Sequence, residues 1–184
     1  MLNTPSATRG MVTAPHHLAA QSGLAVLREG GDAIEAMVAA AASCAVVYPH
    51  MNGIGGDGFW IISRPGRDPV SIDACGPAAA AASPEAYADV DAIPSRGPGA
   101  ALTVPGTIAG WQHALALARK RMPLARLLAD AIDYARDGVP VTAGQSELCS
   151  AKLDELRDVP GFAEVFLPDG DVPAAGARFR QPAL

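Results

Sequence analysis

The period of apolar and polar positions changes several times along this 184-residue chain, and each change marks an element. Leu18, Ala20, Leu24 and Leu27 share one face, which predicts a helix from Pro15 to Glu29. Thr13 is placed to cap it and Gly30-Gly31 to stop it. A second helix begins at once. Asp32 with Glu35 three residues on is a capping box, and Ala33 to Val47 is apolar all round, as in a helix buried on most sides. Pro49 ends it. Two short apolar runs, Phe59 to Ser63 and Val70 to Ala74, read as strands joined by a hairpin loop from Arg64 to Pro69. Both are apolar on both faces, the pattern of a sheet covered by helices.

From Gly76 to Gly106 the chain is rich in Pro, Gly and Ala and nearly uncharged, so an ordered, irregular connection is expected, with a helical turn near Pro84 to Tyr87. Helical spacing then returns in three segments: Thr107 to Lys120, Pro123 to Arg136 with Gly138 as its stop, and Ala143 to Leu156. Helices, then strands, then helices imply an α/β (α+β) class with helix layered on sheet, in a single domain over residues 1–184.

Composition narrows the function classes. The hydrophobic share of 49% is carried by alanine, with aromatics at 5%, so the interior is expected to be close-packed. A net charge of −5 with scattered basic residues argues against nucleic acid as a partner. Cys44, Cys75 and Cys149 are odd in number and lack metal-type spacing, which fits free thiols in a reducing compartment. No apolar leader follows Met1, and the apolar run to Val47 is under the roughly 18 residues that span a bilayer. A soluble, cytoplasmic protein without a membrane partner is the expectation.

Candidate chemistry is sparse. Gly53, Gly55 and Gly58 spell G-x-G-x-x-G, but a helix precedes them and a strand follows, the reverse of a dinucleotide loop. They are read as letting a helix turn into a strand and another backbone come close, with Asp57 bonding local N–H groups. His16 and His17 on a helix would point about 100° apart and share no metal easily, and His113 sits mid-helix. His50 lies just before the glycines. A Cys75–His50 nucleophile is conceivable, though spacing does not show that the two meet. There is no G-x-S-x-G, H-E-x-x-H or Walker A pattern, and no metal or cofactor is called for.

Several separated motifs do follow one another in a fixed order. Gly10-Met11-Val12, Pro15-His16, Gly23-Leu24, the run from Leu27 to Ala33, Val46-Val47, Pro49-His50 and Gly53-Ile54-Gly55-Gly56 are followed by Val104-Pro105-Gly106-Thr107, Ala109-Gly110 and Arg180-Gln181-Pro182. In that order the chain, from about Gly10 to Leu184, resembles the start of the large subunit of the γ-glutamyltransferase (γ-glutamyltranspeptidase) family.

The resemblance implies part of an N-terminal nucleophile hydrolase, a helix–sheet–sheet–helix sandwich left incomplete in this chain. In that family a self-cleaved precursor exposes an N-terminal threonine on the small subunit, which attacks a γ-glutamyl amide and forms an acyl-enzyme. The threonine lies in a Thr-Thr-His-like stretch with no counterpart here, so no catalytic residue is expected in this chain. The implied partners are the remainder of the large subunit, the small subunit and a small-molecule amide. The resemblance puts His50, Asn52, Gly55, Gly56 and Asp57 on an active-site wall. It also puts Cys75, read across Ile72-Asp73, at the place of an arginine that clamps the α-carboxylate of the donor in glutathione-cleaving members. The alternative from another class is a non-catalytic remnant or interaction module that pairs with a missing segment.

Overall fold

Burial and capping decide where each helix of this chain starts and stops. The computed structural model describes residues 4–100 and 103–184. In chain order the elements are α1 (His17–Arg28), α2 (Ala33–Val47), β1 (Gly58–Arg64), β2 (Arg67–Ala74), 3-10 turns at Pro84–Tyr87 and Pro98–Ala100, α3 (Thr107–Ala116), α4 (Leu124–Asp137), β3 (Val139–Pro140), α5 (Ala143–Leu156), α6 (Phe162–Phe166) and β4 (Arg178–Phe179). None of these helices is long and apolar enough to cross a membrane. The chain divides into two compact units. One comprises Met1–Gly53, Trp111–Val139 and Arg180–Leu184, and the other Ile54–Gly110 and Pro140–Phe179.

In the first unit α2 is central and packs against α1 and α4. Twelve of its residues are buried, which alanines at the contact positions permit by letting the helix axes come close. Its start is the expected capping box: Asp32 Oδ1 accepts from the N–H groups of Ile34 and Glu35, while Glu35 Oε2 accepts from Asp32 N–H at 2.8 Å. Glu35 is itself buried, and its second oxygen accepts from Met122 N–H at 2.7 Å. Asp32 Oδ2 takes Arg119 N–H at 2.6 Å. These two long-range bonds draw residues 119–122 onto the start of α2, and for that reason α3 stops at Ala116 rather than running to Lys120.

α1 also starts later than its spacing suggests. His16 has an extended backbone, and its Nδ1 accepts from Leu18 N–H at 3.2 Å, so His16 does the capping and Thr13 lies too far upstream. The end of α4 is as expected, with Gly138 at φ +89° just beyond it.

In the second unit β1 and β2 form an antiparallel pair with Trp60 opposite Ile72 and Phe59 opposite Asp73. The turn is tighter than the loop expected from sequence. Pro65 and Gly66 alone make it, with Gly66 at φ +71°, the positive φ that follows proline in a type II turn. The expectation that both faces are covered does not hold within this chain. Phe59 and Ile61 are 70% and 82% exposed, whereas Trp60 and Ile62 on the other face are half-buried. The short elements α6, β3 and β4 were not predicted. The Phe166 ring stacks on that of Phe179, which is buried, and so ties α6 to β4.

Candidate functional site

The second unit interlocks three segments around the end of β2. The V-P-G-T turn at the start of α3 grips the glycine loop: Gly56 carbonyl oxygen accepts from Gly106 N–H (3.0 Å), Thr107 N–H (2.9 Å) and the Thr107 hydroxyl (2.7 Å). The same hydroxyl lies 2.9 Å from the Asp57 carbonyl oxygen. Glycine is required at two points of this interlock. A Cβ on Gly106 would fall 2.0 Å from the Ala74 carbonyl oxygen, and one on Gly76 would fall 1.5 Å from that of Val104. Side chains larger than hydrogen would push β2 and the turn apart.

That scaffold fixes Asp57 and Cys75. Asp57 Oδ1 accepts from the Thr103 hydroxyl at 3.4 Å. Asp73 Oδ1 accepts from Cys75 N–H at 2.9 Å. The Cys75 side chain is exposed, with Sγ 3.8 Å from the Gly76 carbonyl oxygen. Its pKa is raised, first by a hydrogen bond to the Asp57 carboxylate, then by desolvation and the charges of Asp57 and Asp73. A thiol held in its neutral form is a poor nucleophile, so Cys75 is unsuited to attack a carbonyl at neutral pH.

Gly55, Gly56 and Asp57 thus belong to this unit, and His50 and Asn52 to the other. The close backbone approach expected at the glycines is found at Gly58, where a Cβ would meet Thr107 Cα at 3.3 Å. At Gly53, Gly55 and Gly56 a Cβ would meet nothing within 4 Å, and none of the three has a positive φ. Nothing among the described residues demands glycine there.

In the first unit His16 and His17, expected to point apart on a helix, come together. Because His16 lies before the helix, it stacks on His17 with ring centres 4.6 Å apart. Its pKa is lowered by burial, then by His17 and His50. The His50 ring meets Tyr48 edge-on at 4.4 Å. Burial lowers its pKa too, and its buried Nδ1 has no hydrogen-bond partner among the described residues. Asn52 is exposed. No group of three His, Cys, Asp or Glu among the described residues is arranged to hold a metal ion. Thr103 carries no signal in the sequence, whereas Thr107 is part of the V-P-G-T motif.

This combination of helices, hairpin and interlocked glycine turns defines a class. The chain belongs to the γ-glutamyltranspeptidase family, whose sequence model matches residues 19–184, and its fold is that of the N-terminal nucleophile hydrolases. It is similar to an oxamate amidohydrolase proenzyme of Klebsiella pneumoniae, 62% identical over 96% of this chain and 34% of that protein. A glutathione hydrolase-like proenzyme of Bacillus subtilis is 39% identical, again over 96% and 34%. The crystal structure of Helicobacter pylori γ-glutamyltranspeptidase superposes with a TM-score of 0.88 at 28% identity, covering 98% of this chain and 53% of that one. The chain therefore spans about a third of the length of the curated relatives it matches.

Proposed function

We propose that this chain is the N-terminal part of the large subunit of an amidohydrolase whose nucleophilic threonine lies on polypeptide outside it. In this reading the chain supplies part of the wall of the donor site, with the Gly55-Gly56-Asp57 loop lining it and Cys75 facing the donor. The rest of the large subunit and the small subunit complete the site, and no cofactor takes part. The threonine attacks the amide carbonyl, the amine leaves, and water releases the acid from the acyl-enzyme.

The observation that carries this reading is Cys75, on the correspondence read across Ile72-Asp73. A thiol cannot form the bidentate pair that an arginine offers a carboxylate. A γ-glutamyl donor carries its α-carboxylate three carbons away from the amide carbonyl. In oxamate the carboxylate is bonded directly to that carbonyl, so such a donor makes no use of the distant clamp. Small amides without a glutamyl chain are the substrates this reading favours, and the similarity to an oxamate amidohydrolase supports it.

The test uses the polypeptide that carries this chain together with the catalytic threonine. Ammonia released from oxamate is compared with p-nitroaniline released from γ-glutamyl-p-nitroanilide. Higher kcat/KM for the small amide is expected. A strong preference for the γ-glutamyl donor would overturn the substrate reading.

A further inference from the structure

We propose that the first unit carries a binding site of its own for a small organic acid with an apolar body. It is a cleft between α1 and the segment that precedes it. Arg9 and Arg28 take the carboxylate, and Leu24 and Leu27 take the hydrocarbon. This site is independent of where the amide donor lies, since the Gly55-Gly56-Asp57 loop and Cys75 belong to the other unit and do not line the cleft.

Two stretches of chain build the cleft. Leu24, Leu27 and Arg28 stand at i, i+3 and i+4 on α1, which brings two apolar side chains and a guanidinium onto one face near its end. Ser6, Thr8 and Arg9, from the segment before α1, line the same space. Gly10 lets the two stretches come together. Its φ is +126°, a conformation that residues with a side chain rarely adopt, and a Cβ there would fall 3.2 Å from Leu27 Cδ1. The cleft measures about 900 Å³, within the roughly 300–1,000 Å³ usual for small-molecule sites.

The lining selects the class of ligand. The chain as a whole carries a net charge of −5, yet the described lining holds two arginines and no acidic residue. Neither guanidinium has an ion pair or a hydrogen bond among the described residues. Glu29, which follows Arg28, is held through both its oxygens by Arg126. A planar guanidinium matches a carboxylate, and it is weakly enough hydrated to give up water for one. Leu24 and Leu27 are half-buried, so apolar surface remains in the cleft for a hydrocarbon to cover. An inorganic anion would leave those leucines wet, and a neutral apolar molecule would leave the guanidiniums without a partner. An organic acid uses both.

The test titrates sodium octanoate, 1-octanol and sodium acetate into the polypeptide that carries this chain together with the catalytic threonine, followed by calorimetry. Octanoate is expected to bind, with octanol and acetate each weaker by about tenfold or more, because one lacks the charge and the other the hydrocarbon. The double variant R9Q/R28Q should lose about tenfold in octanoate affinity and keep its affinity for octanol. Both arginines are exposed, so its melting temperature should match that of wild type. Lys120→Gln, which removes an exposed cation outside the described lining, should leave octanoate binding as it was.

Octanoate affinity unchanged in R9Q/R28Q would place the ligand elsewhere and overturn the site. So would an equal loss in Lys120→Gln, which would reduce the effect to general charge attraction, or octanol binding as tightly as octanoate. Failure of octanoate to bind at all would also overturn it, as for a cleft already filled by polypeptide outside this chain. These readouts involve no turnover. A negative result here leaves the amidohydrolase reading standing, and an enzyme that prefers γ-glutamyl donors leaves this cleft standing.

Discussion

Glu35 shows how much one buried side chain can hold. Its two oxygens accept from Asp32 N–H and Met122 N–H, closing the start of α2 and anchoring the segment before α4. Glu35→Gln replaces one acceptor oxygen with a donor facing an N–H group, so destabilisation of about 1–3 kcal/mol is expected in urea unfolding. Glu35→Ala should lose more, and amide exchange at Met122 should accelerate in both. The histidines make a second residue-scale case. His16 and His50 have pKa values held below the ordinary 6.5 by burial, so the folded state prefers them neutral. The unfolded chain binds protons first as pH falls. Their contribution is thus fully present above about 6.5 and is lost as pH drops through the lower folded values. Thermal unfolding between pH 8 and 5 should show a falling midpoint, and His16→Asn should flatten it while retaining a capping oxygen. A midpoint independent of pH in that window would count against burial of the neutral rings.

At the scale of elements, the V-P-G-T turn and the end of β2 stand or fall together. Gly106→Ala would drive a methyl into the Ala74 carbonyl, so the start of α3 must separate from β2. A loss of more than about 3 kcal/mol is expected, in the range of severe backbone clashes. Protection of the Gly106 and Thr107 amides against hydrogen exchange should vanish, because their acceptor Gly56 would move out of reach. Legibility in the sequence divides along this same line. The capping box and the extent of α5 could be read because their bonds join residues three or four apart. The stop of α3 at Ala116 could not, because its cause is a pair of carboxylates more than 80 positions upstream. The bond from the Thr107 hydroxyl to the Gly56 carbonyl was hidden likewise, since 51 positions separate the two. The exposure of Phe59 and Ile61 was misjudged for another reason. Their pattern records a covered sheet, while the chain spans about a third of its curated relatives.

For the whole molecule, that bare face has a physical consequence. Phe59 and Ile61 stand side by side on one side of a two-stranded sheet, and each strand has an outer edge without a ladder partner among the described residues. Apolar surface and open edges favour association. Sedimentation of the 184-residue chain is expected to show self-association that rises with concentration. Phe59→Ser with Ile61→Thr should reduce it without lowering the melting temperature much, since neither side chain is buried. A monomer at all concentrations would show that the face is tolerated in water.

The order in which the chain visits its two units carries a consequence for how it is made and cut. It starts in the first unit, leaves after Gly53, returns at Trp111, leaves again after Val139 and comes back at Arg180, where the Gln181 side chain bonds the Val46 carbonyl and its backbone N–H that of Ala135. Neither unit is a contiguous stretch of sequence. No single truncation can remove one and spare the other, and α2 must wait on a ribosome for α4, nearly 80 residues later, before its second neighbour exists. An internal cleavage in the exposed stretch from Asp89 to Arg96 would give two pieces, each owning part of both units, so their separation would be a measure of how the interleaved halves hold.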